Sequence, residues 1–175
     1  SLLFVRNASL MAQRFDPSTL ELTGEAVALG ERVLMNVTAM RAGAFSVSNS
    51  GALVYQGCSG TGTARLAWSD RAGGQTTVTD ERLQYRDLHL SPDGTRVAVS
   101  LASARDTTSD IWTISAGRGL RTRVTLEGGD DWSAIWSPQG TDVAFASRRK
   151  GSLDLYRKSV SGPDRERSWR LTRIC

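Results

Sequence analysis

Short runs of alternating apolar and polar residues, each preceded by a tight turn, dominate the pattern of this chain. The clearest run lies in Leu90–Ser100, where an apolar residue is followed by Ser-Pro-Asp-Gly and then by Val-Ala-Val-Ser after two polar residues. In such a turn Pro sets φ at the second position, Ser at the first can bond the backbone, and Gly fits the fourth. Alternation with a period of two is typical of β-strands, so the segment predicts a β-hairpin.

The hairpin recurs at a nearly constant spacing. Phe45–Tyr55 is a degraded copy and Trp136–Ser147 a close one, so the first residues of the three copies are 45 and 46 positions apart. About 20 positions after each turn comes a strand-like segment with an aromatic residue, which is Trp68, Trp112 or Tyr156. A third segment closes each unit at Val78, Val124 and Leu171. A period near 45 with four short strands per unit is typical of β-propeller blades.

The repeats resemble the TolB-type β-propeller repeat, which is related to WD repeats and usually reads P-x-W-S-P-D-G-x-x-I-A-F-x-S-x-R-x-G-x-x-D-I-Y. Residues 131–156 follow this form closely, with Ala134 in place of the Pro and Gln139 in place of the Asp. Residues 87–112 keep S-P-D-G and D-I-W, whereas 44–68 has lost the Pro and both Asp residues. The resemblance covers nearly the whole chain. It is specific for the fold rather than for a function, because propeller repeats serve many roles.

The predicted fold is all-β, a single partial β-propeller domain over residues 1–175 with blades of four antiparallel strands. The first blade is expected to lack its inner strand, because Leu2–Arg6 matches the second strand of later blades. Two predictions compete for the end of that blade. The repeat predicts a strand over Glu25–Val33, whereas the content of Glu, Ala, Leu and Met, which favour helices, predicts a helix over Glu25–Met40. Gly30 and the repeat register favour the strand. The expected blades span approximately residues 2–33, 44–79, 87–125 and 131–172.

Charge and cysteine content narrow the classes of partner. The net charge is +4 and the pI about 9.6, almost entirely from Arg, with clusters at Arg118–Arg123, Arg148–Lys150 and Arg165–Arg173. These clusters lack interleaved aromatic residues for base stacking, so solvated loop charge is favoured over a nucleic-acid partner.

No apolar run approaches the roughly 18 residues that span a bilayer. Cys58 and Cys175 do not form a disulfide scaffold and are expected to be free.

Candidate catalytic chemistry is sparse in this sequence. His89 is the single histidine and lies in a predicted first strand, and no nucleophile elbow accompanies it. We therefore assign no catalytic residue. Several acidic residues recur near strand ends, but without a calcium-loop pattern, so no metal or cofactor is expected. These residues are Asp106, Asp110, Asp130, Asp131 and Asp154.

The strand order within a blade predicts which loops share a face. The S-P-D-G turn joins the first two strands at one end, which we call the bottom face. The loops between strands two and three, and the links from strand four to the next blade, then collect at the other end, the top face. Loops often bind ligands, so the top face is the predicted binding surface. Its candidate residues are Arg41, Tyr85, Arg86, Asp106, Asp130, Asp131, Arg148 and Arg149.

The resemblance implies a non-catalytic binding or scaffolding module of a larger signalling or extracytoplasmic protein, with a periplasmic location slightly favoured. TolB-type repeats occur as domains fused to signalling kinases, as periplasmic interaction domains and as gates on prolyl-oligopeptidase-type peptidases. About four blades of this type are expected not to close into a ring. The chain is therefore either part of a longer protein or a homodimer of two paired copies. The expected partner is a protein or small molecule on the top face. The alternative is a hydrolase that uses acidic residues or a bound metal on one face.

The aromatic residues about 20 positions after each turn give a direct test of the repeat register. Trp112 and Tyr156 are expected to lie between blades, so replacing either with Ala should lower the free energy of unfolding by about 3–5 kcal/mol, as for other large aromatic residues in cores. Denaturant unfolding of the two variants measures this loss. A loss below about 1 kcal/mol at both positions would show that the register is misplaced.

Overall fold

The computed structural model describes residues 1–30, 33, 35–36, 42–43, 45–56, 63–69, 75–79, 81–103, 107–160 and 167–169, and these contain no helix. The strands are Leu2–Arg6 (β1), Ser9–Asp16 (β2), Glu21–Gly30 (β3), Met35–Asn36 (β4), Ala42–Gly43 (β5), Phe45–Val47 (β6), Leu53–Gln56 (β7), Leu66–Ser69 (β8), Gln75–Thr77 (β9), Tyr85–Leu90 (β10), Arg96–Ala102 (β11), Ser109–Ser115 (β12), Arg121–Arg123 (β13), Asp131–Trp136 (β14), Asp142–Lys150 (β15), Ser152–Ser159 (β16) and Arg167–Trp169 (β17).

The strands form antiparallel sheets in sequence order. Blade 1 has the three strands β1-β2-β3, and blades 2, 3 and 4 have four strands each, β6-β7-β8-β9, β10-β11-β12-β13 and β14-β15-β16-β17. The predicted all-β propeller fold, with a first blade that lacks its inner strand, is confirmed. In the segment for which a helix competed, β3 occupies residues 25–30 and β4 occupies residues 35–36. Two short strands, β4 and β5, pair in the link to blade 2, where only a loop was expected.

The S-P-D-G turn of blade 3 is held by its own side chains. The Asp93 carboxylate accepts hydrogen bonds from the Ser91 hydroxyl and from the Thr95 N–H group, the latter at 3.1 Å. The bond from Ser91 is the main cause that lowers the pKa of Asp93. Gly94 has φ +75°, and a Cβ there would lie 2.9 Å from the Oγ of Ser50 in blade 2. The turn therefore needs Gly both for its backbone conformation and for the close approach of the neighbouring blade.

Apolar clusters fill the space between blades 2 and 3 and the space between blades 3 and 4. Because side chains alternate along β11, Val97 and Val99 pack in the cluster between blades 2 and 3, whereas Ala98 packs in the cluster between blades 3 and 4. The second cluster includes Phe145 and Tyr156, whose ring centroids are 5.9 Å apart. The side faces of the blades, rather than a central core, thus supply the apolar packing of the described residues.

The two aromatic residues chosen from the repeat are buried to different degrees. Tyr156 is 2% exposed in the space between blades 3 and 4, as predicted. Trp112 is only half-buried at the margin of the cluster between blades 2 and 3, with the Arg121 guanidinium 5.9 Å from its ring. Arg121 belongs to the exposed outer strand β13, which leaves part of the ring open to solvent. The expected loss on truncation is therefore larger for Tyr156 than for Trp112.

Polar contacts lock the inner strands of neighbouring blades together. The Leu90 N–H group donates a hydrogen bond to the Ser46 hydroxyl across blades 2 and 3, at 2.8 Å. Across blades 3 and 4, the Trp136 indole N–H donates to the His89 carbonyl at 2.9 Å. The Arg96 guanidinium lies 4.6 Å above the same indole ring and donates to the Gly140 carbonyl at 2.6 Å. The inner strands are thus fixed relative to one another, which also fixes the loops at their ends.

Candidate functional site

The top face of blades 3 and 4 gathers six of the predicted binding residues. The inner strands β10 and β14 begin at this face, and β15, which runs antiparallel to β14, ends there. This topology brings together residues that lie far apart in the sequence. The six are Tyr85, Arg86, Asp130, Asp131, Arg148 and Arg149. Arg41 and Asp106 lie outside the described residues.

Asp130 is the centre of one polar network on this face. Its carboxylate accepts two hydrogen bonds from Arg86 Nη1, at 3.0 and 3.2 Å, and two from the N–H group and hydroxyl of Ser109, at 2.8 and 2.7 Å. Arg86 also donates to the Thr107 carbonyl at 2.9 Å. The Arg86 side chain is 40% exposed and that of Asp130 30%. This network ties blade 3 to the link that precedes blade 4 and stays accessible to solvent.

Asp131 and Arg149 form a second, buried network beside the first. The two side chains are 0% and 3% exposed, and their closest N–O distance is 3.1 Å. Arg149 Nε donates to the Ser147 hydroxyl at 3.0 Å, and Nη1 lies 3.2 Å from the Glu127 carboxylate. The Arg149 guanidinium also lies 4.4 Å from the ring centroid of Tyr156. With its guanidinium surrounded in this way, Arg149 holds blade 4 together rather than facing a ligand.

The link between blades 3 and 4 runs against the backbone of Arg149. A Cβ built on Gly129 would lie 2.7 Å from the Cβ and 3.1 Å from the backbone N of Arg149. Such an approach leaves no room for a side chain at position 129. The link is therefore pressed onto β15, which positions Asp130 and Asp131 on either side of the boundary between the blades.

Tyr85 begins β10 at the top face, but its side chain is buried beneath that face. Its side chain belongs to the cluster between blades 2 and 3 and is 4% exposed. Burial is the main cause that raises the pKa of Tyr85 to about 12. In the folded protein the phenol is thus neutral at physiological pH and contributes to packing.

Arg148 and Trp132 form the most accessible cationic and aromatic pair of this face. Arg148 is exposed, and its guanidinium lies 5.5 Å from the ring centroid of the half-buried Trp132. The Arg148 N–H group donates to the Asp130 carbonyl at 3.2 Å, so the pair adjoins the first network. Among the described residues, no carboxylate pairs with the Arg148 guanidinium. Trp132 was missed in the sequence, although an aromatic residue beside two Asp residues at the start of an inner strand was a usable signal.

The single histidine, His89, lies on β10 next to blade 4. The Asp87 carboxylate, two residues earlier, accepts bonds from the Ser133 N–H group and the Ser100 hydroxyl, both at 2.8 Å. Burial raises the pKa of Asp87, although the two hydrogen bonds act in the opposite direction. Burial also lowers the pKa of His89, because it disfavours the charged imidazolium. Ser100 thus bonds to Asp87 and not to His89, so this set does not form the relay of a Ser-His-Asp triad.

Of the five acidic residues that recur near strand ends, Asp110, Asp130, Asp131 and Asp154 lie in the described part of the chain. No three His, Cys, Asp or Glu side chains come close enough there to hold a metal ion. Asp110 instead pairs with Arg123 at 2.8 Å, and the Ser152 hydroxyl bonds to Asp154 at 3.3 Å. Within the same residues, no helix is long and apolar enough to cross a membrane.

Solved structures with the same architecture identify the class of fold. Over 98% of its length the chain matches TolB from Acinetobacter baumannii, with 17% identity and a TM-score of 0.70, and a putative TolB from Agrobacterium tumefaciens, with 22% identity and a TM-score of 0.69. A chain of a nidogen/laminin complex matches over 95%, with 11% identity and a TM-score of 0.67.

These matches confirm the TolB-type β-propeller at the level of the fold. The chain spans 40% and 57% of the lengths of the two TolB chains and 59% of the chain from the nidogen/laminin complex. No protein-family model matches it. At these identities the likeness concerns the fold alone, so function rests on the site.

The two top-face networks should respond very differently to loss of their arginine. Replacing Arg149 with Met should lower the free energy of unfolding by about 3–5 kcal/mol, because it leaves the Asp131 carboxylate buried without its cation. Replacing Arg86 with Met should cost at most about 1 kcal/mol, since that pair is solvated. Urea unfolding of both variants makes the comparison. Equal losses of stability in the two variants would mean that the buried Arg149–Asp131 pair does not stabilise blade 4 as described above.

Proposed function

We propose that this chain is a non-catalytic binding module of the propeller type, with its principal contact at Arg148 and Trp132 on the top face. The observation that supports it is the exposed guanidinium held over the indole ring with no described carboxylate beside it. Trp and Arg are the residues most often found at the energetic centres of binding surfaces. Here Trp132 lies on β14 and Arg148 near the end of β15 of the same blade, which fixes the distance between them.

The chemistry of this pair favours a partner that carries a carboxylate. A guanidinium presents a planar fork of N–H donors that fits a carboxylate with two parallel hydrogen bonds. The indole face beside it offers apolar contact for the rest of the partner. The Arg86–Asp130 pair adjoins this point and supplies a polar rim. The proposed ligand is therefore an acidic peptide segment of a protein, or a small molecule with a carboxylate next to an apolar group.

The proposed cellular context comes from the resemblance and not from the site. Propeller modules of this type occur in extracytoplasmic proteins, and we place this chain there as part of a larger protein. The hydrolase alternative has no assembled group of residues in the described part of the chain to favour it. It is retained only as a possible outcome of the binding experiment below.

Titration with Asp- and Glu-containing peptides, followed by NMR chemical shifts, tests the proposed top-face function. Shifts should concentrate at 130–132 and 148, and Arg148→Ala should weaken binding about tenfold or more, as expected for loss of a charge-assisted pair. Arg118→Ala, which removes an exposed arginine in the turn between β12 and β13, should leave the affinity unchanged.

Two results would contradict this assignment. One is an absence of binding, or equal weakening by the Arg148 and Arg118 substitutions. The other is turnover of an ester or peptide substrate panel that is lost in His89→Ala or, with metal present, in Asp130→Asn and Asp131→Asn. Such turnover would favour the hydrolase.

We also propose that the isolated chain forms a homodimer through the outer face of blade 4. Leu155 on this face is 39% exposed, whereas Ile111, its equivalent in blade 3, is 0% exposed beneath blade 4. Ile135 and Leu153 are exposed on the same blade. A blade of a second copy would cover these apolar residues as blade 4 covers blade 3, and such pairing at both flanks would give an eight-bladed ring.

Light scattering at micromolar concentration should give about twice the chain mass of 19.0 kDa. Leu155→Glu should return the mass to that of one chain, because it places a charge in the contact. Leu126→Glu changes an exposed leucine on the link between blades 3 and 4 and serves as the control. A monomer at every concentration, or a dimer that Leu155→Glu leaves intact, would refute the proposal.

A further inference from the structure

One residue in the inner strand of blade 4 has a backbone conformation that is unfavourable for a residue with a Cβ. Ser133 has φ +55°, in the left-handed region that such residues rarely adopt. It lies in a β-bulge between Trp132 and Ile135, where two residues of β14 oppose a single residue of β15. Strain of this kind persists only where the surrounding structure holds it.

The bulge determines which side chains of β14 are accessible at the top face. Asp131 and Ala134 are both buried, although they are three positions apart and a regular strand would turn them to opposite faces. The extra residue of the bulge removes this offset and lets Asp131 pair with Arg149 in the interior. Trp132 is then left half-buried beside the exposed Arg148. The position of the indole ring therefore depends on the bulge.

A carboxylate of blade 3 supports this bulge from the neighbouring inner strand. The Ser133 N–H group donates a hydrogen bond of 2.8 Å to Asp87, and the Ala134 N–H group also donates to that carboxyl. The hydroxyl of Ser100, which is buried on β11, lies 2.8 Å from both oxygens of Asp87. An ionised carboxylate is an acceptor only, so it can serve all three donors at once.

The charge of Asp87 is affected by burial and by two neighbours on β10. Burial is the largest effect and raises the pKa of Asp87, so its carboxylate is neutralised at a less acidic pH than that of an exposed aspartate. Arg86 acts in the opposite direction, but its guanidinium is also paired with Asp130. His89 is the titratable neighbour, and its pKa is lowered by burial and raised by the charge of Asp87. The groups of β11 and β14 that bond to this carboxyl are uncharged, namely the Ser100 hydroxyl and the Ser133 and Ala134 N–H groups.

We propose that Asp87 positions Trp132 through the bulge at Ser133, so that protonation of Asp87 regulates binding at the top face. This regulation rests on the proposed function of Arg148 and Trp132. A neutral Asp87 loses its charge-assisted bonds to the bulge and must donate a proton, for which the Ser100 hydroxyl is an acceptor. Ser133 then leaves the left-handed conformation, and the indole ring moves relative to the guanidinium of Arg148. The site binds most tightly while Asp87 is ionised.

The indole N–H signal of Trp132, observed by NMR and assigned with Trp132→Phe, tests the positioning in the free protein. The signal should move with pH in one transition, and Asp87→Asn should hold it at its acidic position, because Asn has the shape of the acid without its charge. His89→Gln and Asp110→Asn are the controls and should both keep the transition. The first removes the neighbouring titratable group, and the second removes an aspartate of blade 3 that pairs with Arg123. Circular dichroism checks that the variants are folded.

Peptide titration at neutral pH tests the consequence for binding, because the carboxylates of the Asp- and Glu-containing peptides stay ionised there. Asp87→Asn should weaken binding by about threefold to tenfold, as expected for loss of charge-assisted bonds. Adding Ser133→Gly to Asp87→Asn should restore most of the affinity, because Gly adopts the left-handed conformation without the support of Asp87. A general loss of stability would not be restored in this way.

The two measurements separate this inference from the proposed function. Absence of peptide binding by the wild-type protein would overturn the regulation together with the proposed function, and the NMR transition would then decide whether Asp87 positions Trp132. Three results would overturn the inference while the proposed function stands. They are a pH transition that persists in folded Asp87→Asn, a transition that is lost in His89→Gln, and a double variant that binds as weakly as Asp87→Asn.

Discussion

Face-to-face packing of successive blades is the constraint on which this structure depends. The strands β11 and β12 of blade 3 present alternate side chains to the clusters on the two sides of the blade, whereas the short outer strand β13 is exposed. Stability therefore comes from a chain of nearest-neighbour contacts, as in other repeat proteins. It follows that the loops on the top face keep their positions only while the faces below them stay packed.

Two adjacent aspartates on that face show how packing assigns different roles to similar residues. Asp130 and Asp131 are neighbours in sequence, and each pairs with an arginine. The first pair is solvated and joins blade 3 to the link before blade 4, whereas the second is buried against the aromatic rings of blade 4. Arg148 and Arg149 differ in the same way, because successive residues of a strand point to opposite faces. Only one residue of each such pair is accessible to a partner.

The fold was predictable because it is repeated, and the site was only partly so. The period near 45 predicted the strand order and which loops share the top face, because each blade repeats the same alternation of apolar and polar residues. The burial of Tyr85 and of Arg149 depends on what the neighbouring blade places against them, which no single repeat specifies. Trp132 was overlooked because it lies outside the motif positions shared by the blades. The predicted site residues Arg41 and Asp106 lie outside the described residues.

The close contact between Gly94 and the serines of blade 2 has a consequence for how such a chain can be rearranged. Blade 2 has lost the Pro and Asp of its own turn, yet its Ser48 and Ser50 hydroxyls, 2.7 Å apart, lie directly against the intact turn of blade 3. The degenerate turn and the regular one are thus fitted to each other. Blades 2 and 3 are consequently not interchangeable modules, and a chimera that swapped their order would separate two surfaces that match only in the present sequence.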